Sequence, residues 1–200
     1  MKVSYKSYFV GLLSGVLFTI AGLLVLANIA TSRMANRLGI SETVLASPAF
    51  PDLAQLTAYG QPDWDWSLYT LDGKQVPFAS FRGKTLFITY WATWCRPCVS
   101  ELPSIQRLHD SLKNEPIEFL LITDEHPGAV QYFLSKRQFS LPVYRQQGQT
   151  PPLFRSIGVP ATFIVSRDGA LVFKHTGAAR WDDPACLAFL RSLATPAPAH

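Results

Sequence analysis

Cys95 and Cys98 are separated by two residues, a spacing that can do redox chemistry. Positions three apart on a helix are neighbours, so the two sulfurs can form a disulfide or exchange one with a partner. Exchange needs a thiolate, because the thiol itself does not attack. Arg96 places a positive charge beside the first sulfur, and Pro97 stiffens the turn between the two. Cys95 is therefore read as the attacking thiol. Cys98 resolves the mixed disulfide by attacking Cys95 and releasing the partner. The third cysteine, Cys186, falls at i, i+3, i+4, i+7 with Phe189, Leu190 and Leu193. That is the pattern of a small core-facing hydrophobe.

The same C-x-x-C could be half of a zinc site. A structural zinc needs further Cys or His ligands, and His109, His126, His175 and His200 stand at no ligand spacing from one another. No metal and no cofactor is expected. A Cu(I) chaperone would hold its ion through the same two soft thiolates, but Met1 and Met34, the two methionines, lie at the start of the chain and beside its apolar run.

Chemistry of this kind requires a helix N-terminus, where free N–H groups and the positive dipole end stabilise a thiolate. The patterning supplies one. Thr85–Tyr90 is nearly all apolar, as in a strand buried on both faces. Trp91–Cys95 is the turn out of it, and Cys98–Lys113 reads as a helix with Leu102, Ile105, Leu108 and Leu112 on one face. Trp66–Leu71 alternates and is followed by the hairpin signal Asp72-Gly73. Phe78–Lys84 reads as a loop, Ile117–Thr123 as a second buried strand, and Pro127–Gln138 as a second helix. Thr162–Val165 and Leu171–His175 flank Asp168-Gly169, read as a two-residue hairpin turn. Asp183-Pro184 opens a last helix to about Leu193. The order is β, β-α-β-α, β-hairpin, α, which implies an α/β fold with a mixed sheet.

The chain has 200 residues and a net charge of +4. From Asp63 onward 14 Lys/Arg face 12 Asp/Glu without clustering, so nucleic acid has no electrostatic footprint here. Tyr8–Ala30 is a run of 23 residues without a charge, and about 20 suffice to span a bilayer core. We read residues 8–30 as a transmembrane signal anchor after a short cytoplasmic 1–7. A cleaved signal peptide, with Val25-Leu26-Ala27 as its small-residue context, is the alternative. Either one puts the remainder outside the cytoplasm. Residues 31–62 read as a linker with one short helix near Pro51–Tyr59, residues 63–194 as the domain, and 195–200 as a tail.

The stretch Thr85-Leu-Phe-Ile-Thr-Tyr-Trp-Ala-Thr-Trp-Cys-Arg-Pro-Cys-Val-Ser-Glu-Leu-Pro103 resembles the active-site segment of the membrane-anchored TlpA/ResA/CcmG group of thioredoxin-like proteins, and the likeness extends over roughly 63–193. Gly158-Val159-Pro160-Ala161-Thr162-Phe163 resembles that group's second signature. The resemblance implies a thioredoxin-like fold and a cis Pro160 beside the cysteines. It also implies a Val159 backbone that pairs with a substrate chain. Without it, Pro160 would read as an ordinary trans turn proline. Glu101, three residues after the second cysteine, is by resemblance a modulator of cysteine acidity. From the residues alone it is either that or a first-turn glutamate favoured by the helix dipole. Thioredoxin itself carries a buried aspartate where this chain has Thr89, so proton handling must differ, and Glu101 is the obvious substitute. Trp91 reads as core, Trp94 as part of the substrate groove, and His126 as a loop histidine without a catalytic role.

These readings converge on an extracytoplasmic thiol–disulfide oxidoreductase that reduces disulfides in a protein substrate. The group implies cytochrome c haem-binding thiols or oxidase metal-site thiols as targets, and a membrane disulfide reductase of the DsbD/CcdA type as electron donor. A disulfide-forming oxidant would use the same cysteines. Oxidants of the DsbA kind usually carry a histidine between the cysteines and a helical insertion, and neither is evident here.

Overall fold

The computed structural model describes residues 19–23 and 45–195. The chain divides into two units, Met1–Glu42 and Thr43–His200. In the first, residues 19–23 are helical. The rest of the expected anchor, 8–30, lies outside the described residues, as do residues 1–7 and 196–200. Among the described residues no helix is long and apolar enough to cross a membrane.

The second unit is built on a seven-stranded sheet in the order β2-β1-β5-β4-β3-β6-β7. Its strands are β1 (Ser67–Thr70), β2 (Gln75–Pro77), β3 (Thr85–Tyr90), β4 (Ile117–Thr123), β5 (Val143–Gln146), β6 (Ala161–Val165) and β7 (Leu171–Thr176). β3 runs parallel to β4 and β4 parallel to β5, and β3 pairs antiparallel with β6. Three helices complete the fold: α1 (Arg96–Leu112), α2 (Pro127–Arg137) and α3 (Pro184–Ala194). This is the expected α/β, thioredoxin-like arrangement with a mixed sheet.

Strand side chains alternate between faces, and the central strands use both. Phe87, Phe119, Leu121 and Ile164 face one cluster, which holds the buried residues of all three helices, among them Leu102, Ile105, Val130 and Leu190. Their neighbours Leu86, Ile88, Leu120, Ile122, Phe163 and Val165 face a second cluster, with Leu68, Phe78, Phe81 and Phe154. β3 is buried along nearly its whole length for this reason. The second cluster is rich in rings: Phe78 packs at 5.1 Å from Trp64, 4.7 Å from Trp66 and 5.9 Å from Phe154 between ring centroids.

Several local expectations change. Phe78–Lys84 is not a plain loop. Phe78–Phe81 forms a 3-10 turn that drives two rings into the second cluster. β5 was not anticipated: it carries Arg145 and Gln146 and is mostly half-buried, so it lacks the apolar run that reveals β3 and β4. The β6–β7 connection is longer than a two-residue turn, because Val165 pairs with Leu171. Ser166 closes it by donating to the Asp168 carboxylate and, at 3.0 Å, to the Ala170 carbonyl. Part of the expected linker lies against the domain. The Tyr59 N–H donates to the Leu171 carbonyl at 2.8 Å, and Phe50 sits 4.9 Å from both Phe173 and Phe189. The expected helix there is one 3-10 turn, Leu53–Gln55, capped by Asp52.

Helix ends are fastened by side chains. The Asp183 carboxylate accepts from the Ala185 N–H at 2.8 Å, with Pro184 opening α3. His126 Nδ1 accepts from the Gly128 N–H at 3.2 Å and so caps α2. Substitution of Phe78 by alanine is expected to cost about 3–5 kcal/mol, read by urea unfolding followed through tryptophan fluorescence. A loss below about 1 kcal/mol would show that the aromatic cluster is not a structural core.

Candidate redox site

β3 ends at Tyr90 and α1 begins at Arg96, so the redox motif occupies a short passage between sheet and helix. The Trp91 N–H donates to the Ile122 carbonyl at 3.0 Å, which ties the start of the passage to β4. Thr93 is held from the other side. Its N–H and its hydroxyl each donate to the Glu125 carboxylate at 2.6 Å. Arg145 Nε donates to the Glu125 carbonyl at 3.0 Å, linking this clamp to β5.

Cys95 is the N-cap residue of α1, and Arg96 and Pro97 are its first two helical residues. Proline there costs nothing, because those N–H groups have no helical partner. Cys95 and Cys98 form a disulfide with their Cα atoms 5.2 Å apart. The Cys98 N–H points at Cys95 Sγ at 3.2 Å. That orphan donor would stabilise a thiolate on Cys95 once the bond is reduced. Cys95 is 5% exposed and Cys98 fully buried, so an incoming group can reach only the first sulfur.

The Val159–Pro160 peptide is cis. It brings the Val159 carbonyl to 3.6 Å from Cys95 Sγ. Trp94 and Ile157, 72% and 101% exposed, stand on the two segments that border this point.

Glu101 lies one helical turn beyond Cys98 and is wholly buried. One carboxylate oxygen accepts from Trp181 Nε1 at 3.0 Å and from the Ala179 N–H at 3.2 Å. The other oxygen has no partner. Burial pushes the Glu101 carboxyl up to about 7, against the opposing pull of the Trp181 and Ala179 hydrogen bonds. Thr89 is also buried and accepts from the Thr162 hydroxyl at 3.1 Å. Cys186 is buried and unpaired, and burial first, then the Asp183 and Asp182 carboxylates, pushes its thiol up to about 12. It is a core side chain.

Thus the residues singled out from sequence, Trp94, Cys95, Arg96, Pro97, Cys98, Val159 and Pro160, meet at one end of the sheet, with Glu101 beneath them in the core. Sequence reading missed Glu125 as the anchor of the passage, although its place at a strand end was visible. It also missed Trp181 as the partner of Glu101. Eighty positions separate that pair, and no local pattern links them.

The AhpC/TSA family model matches residues 59–174. Among curated proteins, the thiol-disulfide oxidoreductase ResA of Bacillus thuringiensis is 30% identical over 109 residues, 54% of this chain and 63% of that protein. The chain therefore spans less than two thirds of that relative's length. ResA of Geobacillus kaustophilus is 28% identical over 128 residues, 63% of this chain and 74% of that one. Among solved structures, a thioredoxin-family thiol:disulfide interchange protein from Chlorobium tepidum TLS superposes with a TM-score of 0.55 at 25% identity, covering 69% of this chain and 98% of its own. A secreted Mycobacterium tuberculosis disulfide oxidoreductase described as homologous to E. coli DsbE does so at 0.54 and 23% identity, covering 64% and 97%. That second likeness is one of fold.

Glu101 also carries a pH signature. Its folded value of about 7 lies above the ordinary 4.5, so between those values the folded chain holds a proton that the unfolded chain has released. Its contribution to stability is fully present below that window and is lost as pH rises through about 7. Glu101→Gln, neutral in both states, should flatten this fall and exceed the wild type by up to about 3 kcal/mol above the window. Urea unfolding of the oxidised protein on either side of the window measures it.

Proposed function

The chain belongs to the AhpC/TSA family with a thioredoxin-like domain, and from that premise we propose that it is a thiol–disulfide oxidoreductase working through Cys95 and Cys98. The observation that carries this reading is the disulfide at the N-terminus of α1, with its outer sulfur beside the Val159 carbonyl. The names of the ResA relatives support it.

In the reduced form, the Cys95 thiolate attacks one sulfur of a substrate disulfide, and the other sulfur leaves as a thiolate. Cys98 then attacks Cys95 Sγ, the substrate's second sulfur leaves, and the Cys95–Cys98 bond reforms. Two electrons pass to the substrate, which takes up two protons. Cys98 must shed its proton to attack. Glu101, one turn away with a free oxygen and a value near neutrality, is the nearby group suited to influence that step. The exposed backbone around Val159 offers a substrate strand its hydrogen bonds, and Trp94 borders the same groove.

We assign the direction as reductive. The substrates are disulfides in cytochrome c maturation or at oxidase metal-site thiols, and the electron donor is a membrane disulfide reductase of the DsbD/CcdA type. The resemblance to the TlpA/ResA/CcmG group supports these choices. The uncharged run 8–30 supports a tether that holds the domain on the outer side of the cytoplasmic membrane.

Two measurements test this reading. The Cys98→Ala full-length chain, expressed in a bacterial envelope, should accumulate mixed disulfides through Cys95 that vanish on reduction. Trapping by Cys95→Ala instead would invert the assigned roles. The potential of the pair should lie well below about −120 mV, a value typical of strong oxidants.

A further inference from the structure

Ala179, Arg180 and Trp181, in the segment between β7 and α3, lie outside any helix or strand. Their backbone N–H groups must therefore find partners elsewhere. Each has one. The Ala179 N–H donates to the Glu101 carboxylate at 3.2 Å and the Trp181 N–H to the Ser104 hydroxyl at 3.1 Å, both on α1. The Arg180 N–H donates to the Ala46 carbonyl at 3.0 Å. The segment is thus bonded to α1 through its two outer residues and to the chain around Ala46 through its middle one.

That stretch of chain is itself fastened. Phe50 is half-buried, and its ring lies 4.9 Å from those of Phe173 and Phe189. Phe173 in turn meets Trp181 edge-on at 6.4 Å, and the Trp181 indole N–H donates to Glu101 at 3.0 Å. Pro48 and Pro51 flank Phe50 and restrict the backbone on both sides of it. Farther on, the Tyr59 N–H donates to the Leu171 carbonyl and the Leu171 N–H to the Gly60 carbonyl, each at 2.8 Å. Residues 46–60 therefore form a strap held at both ends of β7. Gly60 meets the first residue of that strand, and Ala46 meets the segment that follows it. The titratable and charged groups at this corner are Cys98 and Arg107 on α1, His175 on β7 and Cys186 on α3, with Arg180, Asp182 and Asp183 on the segment itself. The His175 ring lies 5.6 Å from that of Trp181, and the Asp182 carboxylate accepts from Arg107 and Arg180.

On the thiol–disulfide reading above, we propose that this strap is a positioning element for the resolving step, with Phe50 as its positioning residue. It clamps segment 179–181 against α1 and so keeps the Ala179 and Trp181 donors on Glu101, one turn beyond Cys98. Phe50 touches none of the reacting atoms and acts only through this contact. The physical reason is desolvation. Ala179 and Trp181 cover the carboxyl as well as bonding to it. Loosening them admits water, which favours the ionised form. Loss of the two hydrogen bonds would act in the opposite sense, but burial is the larger of the influences on Glu101. Residues well outside the redox motif thus set when the acid beneath it changes state.

The test uses the full-length chain, oxidised so that neither cysteine of the pair titrates, with isotope-labelled glutamate carboxyls followed by NMR. The Glu101 signal is the one lost in Glu101→Gln. Its midpoint, about 7 in the wild type, should fall by about one unit in Phe50→Ala. Amide hydrogen exchange at Ala179 and Trp181 should quicken by about tenfold or more. Phe50→Leu keeps an apolar contact with Phe173 and Phe189 and should lie nearer the wild type in both measurements. Tyr59→Ala removes an exposed ring at the far end of the strap and should change neither. The resolving step is read on the reduced chain with a nitroaryl disulfide. Attack by Cys95 releases one coloured thiolate, and attack by Cys98 on Cys95 Sγ releases the second. The pH inflection of the second release should move with the Glu101 midpoint in Phe50→Ala, and that of the first should not. An unmoved or raised midpoint, unchanged exchange, equal shifts in Tyr59→Ala, or a second release whose inflection stays in place would overturn the proposal. A wild type that gives no second release would instead sink the thiol–disulfide reading, and the titration and exchange alone would then decide whether the strap holds Glu101.

Discussion

The passage from β3 to α1 covers only Trp91–Cys95, and within it the chain must leave a fully buried strand and present a sulfur at the first turn of a helix. Those five residues leave little conformational freedom once both ends are fastened. The start is tied to β4 through the Trp91 N–H, and the middle is tied to the loop beyond β4 through Thr93 and the Glu125 carboxylate. The end is the N-cap itself, where Cys95 meets the free N–H of Cys98. A rigid parallel pair, β3 and β4, is what makes such a short passage reproducible. Displacement of either tie would move the sulfur relative to the helix end and to the Val159 carbonyl.

A second constraint lies under the first. Glu101 occupies a core position on α1, on the face that also buries Leu102 and Ile105. A carboxyl there is expensive to ionise, and two hydrogen bonds only partly offset that cost. The consequence is an acid that changes state near neutral pH within the same helix as the disulfide. Its partners come from the segment before α3, so α1 and the C-terminal part of the domain share one polar contact inside an otherwise apolar cluster. Ser104 extends the link, accepting from the Trp181 N–H at 3.1 Å.

The two faces of the sheet are filled differently. Helices cover one, as the periodicity of α1 and α3 requires. Rings from short irregular segments cover the other, chiefly Phe78, Phe81 and Phe154. The apolar β3 and β4 runs demanded cover on both faces, but nothing in the local pattern of Phe78–Phe81 or Pro152–Phe154 showed that they supply it. β5 escaped notice for a related reason. Its residues are half-buried, and its strand character comes from pairing with β4 and β1, which no window of four residues can reveal.

The order of the main elements apart from β5, the redox pair near a helix N-terminus and the core role of Cys186 were legible in the residues. Each depends on interactions spanning a few positions: helical spacing, strand alternation, and the proline that follows a cap. The family resemblance added Pro160 and Glu101. What the tertiary structure alone decided are contacts between residues far apart in the chain. Glu125 grips Thr93 from 32 positions away, and Trp181 reaches Glu101 across 80. The burial that raises the Glu101 carboxyl is of the same kind. It exists only once separate strands and loops close around one point, because desolvation is a property of everything that surrounds a group and not of its neighbours in sequence.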